Sequence, residues 1–126
     1  MTTIKITVVQ LRDIIKRKVL FTLAGKGFNI SGFSIVRHMK DSTDDSEIWK
    51  DYWEERHPSH HFPSEPHKCP SCLLKKDDFI GGHVICEGQT YIIPVCKGCN
   101  SEFKGDKADK HPFYVKTEDM VRVLED

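Results

Sequence analysis

Two cysteine pairs constrain this chain more than any other feature. They are Cys69-Pro70-Ser71-Cys72 and Cys96-Lys97-Gly98-Cys99, with residues 73–95 between them. Two residues between cysteines let both sulfurs of a tight turn point at one ion. Two such knuckles supply four thiolates in a tetrahedron, the closed arrangement of structural zinc. The expected ligands are therefore Cys69, Cys72, Cys96 and Cys99, holding one Zn2+ per chain. A four-thiolate site has no open coordination position, so such an ion is expected to stabilise the fold and not to catalyse. The fifth cysteine, Cys86, stands alone and reads as a small core residue.

The chain has 126 residues. That is a single small domain, or one with an appendage, and a metal staple offsets the modest core it can bury. Hydrophobic residues make up 38% and charged residues 30%, a soluble composition. No apolar run approaches the ~18 residues that span a bilayer. The start, Met1-Thr2-Thr3-Ile4-Lys5, alternates polar and apolar, unlike the apolar stretch of a signal peptide. A cytoplasmic protein without membrane contact is expected, and paired cysteines there mean metal and not disulfides.

The formal net charge is zero, but its distribution is uneven. Residues 1–40 carry eight basic residues against one acid, and residues 41–66 carry two against eight. A uniformly basic nucleic-acid binder is excluded, while a local basic face is not. Leu11, Ile14, Ile15, Val19 and Leu23 recur at helical spacing. The opposite face holds Arg12, Lys16 and Arg17, with Lys18 nearby. That face is either an ordinary solvated surface or a contact for nucleic-acid phosphates or an acidic protein.

Ahead of this helix, residues 2–9 alternate as a short strand does, with Ile4, Ile6 and Val8 on one side. Gly25 or Gly27 ends the helix. Residues 28–36 lean towards β structure. Residues 47–56 form a second helix whose Ile48, Trp49, Tyr52 and Trp53 make an aromatic stripe suited to a core. Residues 57–67 hold three prolines and four histidines, and read as a loop. Residues 79–86 and 90–95 pair as a hairpin about Glu87-Gly88-Gln89. Near the C-terminus, Thr117 reads as the N-cap of a last helix with Met120, Val121 and Leu124 on its apolar side.

CPSC at 69–72, GGHV at 81–84, YIIPVCKGCN at 91–100 and the following Lys104 together resemble the HNH, or ββα-metal, branch of treble-clef zinc domains. The resemblance covers a little over a quarter of the chain. It implies that His83 matches the general base, which deprotonates a water for attack on a phosphodiester beside a divalent ion. Active members carry an acid or His directly before that base and an Asn five residues before the third cysteine. Here those positions are Gly82 and Tyr91, and Asn100 is the only residue near the last signature position. The expected fold is α+β. An N-terminal αβ portion at 1–58 and a Pro/His-rich linker at 59–66 precede a treble-clef or zinc-ribbon-like module at 67–126, whose β-hairpin joins the two knuckles. The expected function is a non-catalytic zinc-stabilised module that contacts nucleic acid or a protein. The alternative is a small HNH-like nuclease with His83 as base.

Overall fold

The computed structural model describes residues 18–39, 46–57, 62–102 and 111–124. The strand expected over 2–9 and the basic residues Arg12, Lys16 and Arg17 lie outside them. The first described element is helical, α1, over residues 18–25. Its cap is a Schellman motif: Phe28 N–H donates to the Leu23 carbonyl (3.0 Å) and Gly27 N–H to that of Ala24 (3.1 Å). Gly27 takes the left-handed conformation (φ 74°) that this cap requires. Strand β1 (Phe33–His38), helix α2 (Ser46–Arg56) and a small ribbon, β2 (His67–Lys68) with β3 (Lys75–Lys76), follow. Next come β4 (Phe79–Cys86), β5 (Gln89–Cys96), the short helix α3 (Lys97–Glu102) and β6 (Phe113–Lys116). A single 3-10 turn (Thr117–Asp119) and β7 (Val121–Arg122) end the described chain.

β6, β1, β4, β5 and β7 form one antiparallel sheet in that order. The two expected portions therefore meet in a single sheet: β1, from the first, lies between β6 and β4 of the second. The β4–β5 hairpin sets its register. Glu87 and Gly88 both have positive φ (50° and 78°), the two-residue turn that matches strand twist, and Cys86 faces Gln89 across it.

Period-two alternation then assigns two faces. On one, Val36, Val84, Ile93, Val95, Phe113 and Val115 pack with Cys69, Cys96 and Cys99. On the other, Ile92 and Val121 pack with Trp53 and Phe62. Helix α2 covers this second face. Its stripe divides as an amphipathic helix should: Trp53 is buried at 1% exposure, Trp49 and Tyr52 are half-buried, and Ile48 is exposed. Trp53 also satisfies its own indole N–H on the Asp119 carbonyl (2.8 Å).

The helix expected from Thr117 does not form. After the 3-10 turn the chain extends, Val121 pairs with Ile92, and Arg122 pairs with Tyr91. The open edge of β5 supplies backbone partners that a short helix would forgo. Val121 buried, Arg122 exposed and Val123 half-buried follow a period of two, not 3.6. Thr117 makes no side-chain cap; its hydroxyl bonds that of Ser34 instead (2.7 Å).

Candidate metal centre

The first knuckle is the turn between β2 and β3. Leu73 N–H donates to the Cys69 carbonyl (2.7 Å) and Cys69 N–H to that of Leu74 (2.9 Å). Leu73 adopts a left-handed φ of 62°, a cost that the closed knuckle sustains. The second pair spans a strand–helix junction. Cys96 ends β5, and Cys99 sits in the first turn of α3. The start of α3 three residues before Asn100 is what brings Cys99 back beside Cys96.

The four sulfurs converge. Cys69, Cys72, Cys96 and Cys99 place their Sγ atoms all within 4.8 Å of one another. A tetrahedron of metal–sulfur bonds near 2.3 Å has sulfur–sulfur edges of about 3.8 Å, so the set needs little contraction to hold an ion. Cys69, Cys96 and Cys99 are buried and Cys72 is half-buried. Two amides already point at sulfur: Cys96 N–H at Cys69 Sγ (3.5 Å) and Cys99 N–H at Cys96 Sγ (3.4 Å). Without a cation the four groups compete for protons. Hydrogen bonding with Cys72 pushes Cys69 up to about 12, and hydrogen bonds from Cys69 and Cys99 hold Cys72 down to about 2. Cys99 is raised by its bonds to Cys69 and Cys72 and then by burial. A bound cation removes this competition by favouring all four thiolates, so its uptake releases protons.

Cys86 is half-buried against the same face and outside the cluster. Burial, then the Glu87 carboxylate, raises its thiol.

His83 lies on the opposite face. It is 8% exposed, with its ring edge-on to Trp49 at 4.4 Å. Its Nδ1 is buried and has no hydrogen-bond partner among the described residues, while its carbonyl accepts from Met39 N–H (3.2 Å). The residues that would assist it as a base are not beside it. Gly82 faces the other way: a Cβ there would lie 2.3 Å from Val95 Cγ1 and 3.3 Å from Asn100 Oδ1. Tyr91 pairs with Val84 and packs on the cysteine face. Among the described residues no group of metal-ligating side chains forms around His83.

Burial lowers the His83 pKa. The unfolded chain titrates this imidazole near 6.5, so below that pH it takes up a proton that the folded protein resists. The neutral ring's contribution to stability is complete above about pH 6.5, falls on acidification, and levels once folded His83 itself titrates. His83→Leu should therefore gain stability relative to the parent on moving from about pH 7.5 to about pH 5. Urea unfolding of both proteins at the two pH values measures this, and an unchanged difference would contradict it.

One further cluster has no counterpart in the sequence reading. Ser71, inside the first knuckle, is fully buried and meets two imidazoles: His38 from β1 and His111 just before β6. His38 is buried at 3% exposure, and desolvation followed by the charge of His111 lowers its pKa to about 4. The alternation of Phe33–His38 does place His38 in phase with buried Val36, so its burial was there to be read.

No helix among the described residues is long and apolar enough to cross a membrane. No protein-family model, curated protein or solved structure matches the chain. The site's own chemistry therefore carries the functional reading.

Proposed function

We propose that the chain is a zinc-stabilised binding module of treble-clef type that contacts nucleic acid without cleaving it. The observation that carries this reading is the closed set of four sulfurs, drawn from a knuckle and a strand–helix junction on either side of a hairpin. A four-sulfur site favours zinc over harder cations and leaves no position for substrate. The basic residues Arg12, Lys16 and Arg17 supply the phosphate contacts in this proposal. The test is a titration of labelled duplex and single-stranded oligonucleotides at several salt concentrations. Weak binding that falls steeply with salt is expected, because each neutralised phosphate releases counterions. Charge reversal at Lys16 and Arg17 should abolish it, and unchanged binding would remove this face from the function.

The nuclease reading keeps one observation in its favour, the buried and unpartnered Nδ1 of His83. It requires a cation beside that ring, and His83 alone cannot hold Mg2+, which takes several oxygens. Plasmid nicking with Mg2+, Mn2+ or Ni2+ is expected to stay at background. Nicking that disappears in His83→Ala with zinc content unchanged would reverse the assignment.

A further inference from the structure

Helix α2 is held to the sheet unevenly. Its second half is bonded. Trp53 donates its indole N–H to the Asp119 carbonyl (2.8 Å), and Tyr52 Oη donates to the Arg122 carbonyl and accepts from Leu124 N–H (both 3.1 Å). Trp53 also packs among Phe62, Ile92 and Val121. The first half relies on packing. Its backbone crosses β4 at Gly81, where a Cβ would lie 2.7 Å from the Trp49 carbonyl carbon. The Trp49 ring stands edge-on to His83 with centroids 4.4 Å apart. Trp49 is thus the cover of a buried imidazole: His83 is 8% exposed, and its Nδ1 has no hydrogen-bond partner among the described residues.

A neutral imidazole fits this place, because its single N–H can sit on Nε2. An imidazolium must carry a proton on Nδ1 as well, where nothing accepts it. The charged groups around the ring do not answer that charge. On α2, Asp51, Glu54, Glu55 and Arg56 are exposed and Lys50 lies over the Phe62 ring (5.5 Å), while the Glu47 side chain lies outside the described residues. On β5 the partner of His83 is Ile92, and the ionisable Tyr91 and Cys96 pack on the cysteine face. On β1, His38 turns to Ser71, and the exposed Arg37 has the same sign as an imidazolium. The attraction of an indole for a cation is small beside the lost hydration of a buried charge. Burial accordingly lowers the pKa of His83.

We propose that His83 and Trp49 form an acid-operated latch: a proton on His83 releases the first half of α2 from β4, while Tyr52 and Trp53 keep the second half docked. The opening is local and leaves the sheet intact. In the open form the ring is hydrated and titrates near 6.5. Above about pH 6.5 the open-to-closed ratio is therefore constant. Below it the ratio rises by about tenfold per pH unit, the signature of one proton, and levels where the closed form itself takes up the proton.

Native-state hydrogen exchange of the full-length protein, followed by NMR between about pH 7.5 and 5 with excess Zn2+ present, tests the proposal. Rates are corrected for the intrinsic pH dependence of exchange. Protection of the Lys50 and Asp51 amides should be flat above about pH 6.5 and fall by about tenfold per pH unit below it. The amides of the β4–β5 hairpin should stay better protected than these two at every pH. In His83→Leu the Lys50 and Asp51 protection should no longer fall with acid, and if that variant does not fold, the neutral His83→Gln is read in its place. A flat profile in the parent would overturn the latch. So would a fall that persists when His83 is replaced, because the proton would then be held elsewhere. Equal protection of α2 and the hairpin would overturn it too, since α2 would then leave only when the whole domain unfolds.

Discussion

Cys96→Ser should strip the chain of its metal and unfold it. Thiolate ligation of zinc in small domains is worth on the order of 10 kcal/mol at neutral pH, as much as the whole stability of a domain this size. The effect should reach beyond the ligands. Cys69, Cys96 and Cys99 belong to the same packed face as Val36 of β1 and Phe113 and Val115 of β6. Losing the ion leaves crowded thiols in that face, and the sheet loosens with them. Elemental analysis should give one zinc equivalent for the parent and none for Cys96→Ser, and circular dichroism should show the variant largely unfolded. Cys86→Ala is the control. Its sulfur is outside the cluster, so it should keep full zinc content with only a small loss of stability. Retention of zinc by Cys96→Ser, or its loss from Cys86→Ala, would mean that the four ligands are wrongly chosen.

Gly82→Asp should come close to the same damage by a different route. The first atom of any side chain there would lie 2.3 Å from Val95 Cγ1, well inside contact distance. Val95 is fully buried and has nowhere to move. Overpacking of this kind costs about 1–3 kcal/mol or more, and burying a carboxylate without a cation adds several kcal/mol. The expected loss is thus about 5 kcal/mol, read from urea unfolding of the zinc-loaded protein. Gly82→Ala should lose only the overpacking share. A Gly82→Asp protein within about 1 kcal/mol of the parent would refute the packing argument. The substitution also bears on function. An acid at this position would point at Val95 and Asn100 and away from His83, so it could not complete a cation site for that imidazole.

The parts of this structure written in local chemistry were legible in the sequence. The two C-x2-C pairs gave the sulfur cluster, Gly88 marked the hairpin turn, and the Trp49–Trp53 stripe gave a helix with one buried side. What escaped was decided by distant partners. Met120, Val121 and Leu124 fit a helical face while Val121 and Val123 fit an extended one, and only the open edge of β5 selects between them. The Gly81-Gly82 pair looks like a loss of strand propensity until α2 is in place. A Cβ on Gly81 would lie 2.7 Å from the Trp49 carbonyl carbon, so the helix crosses where the strand has no side chain. The His38–Ser71–His111 group was invisible for the same reason. Each member is unremarkable in its own segment, and only the fold brings them together.

The position of β1 between β6 and β4 governs the order in which this chain can be built. The Ser34–Thr117 bond alongside the β1–β6 pairing joins residues 83 positions apart, whereas the hairpin and both knuckles close within residues 67–102. Contacts of long sequence separation form late, because the loop between them must be ordered first. On a ribosome β1 therefore emerges long before its second neighbour exists. The metal-bearing hairpin is complete while β6 is still being made. Folding should then proceed outward from that hairpin, with β1 docking on β4 and β6 closing last, and a chain cut short before Phe113 would leave β1 as a bare sheet edge open to pairing with other chains.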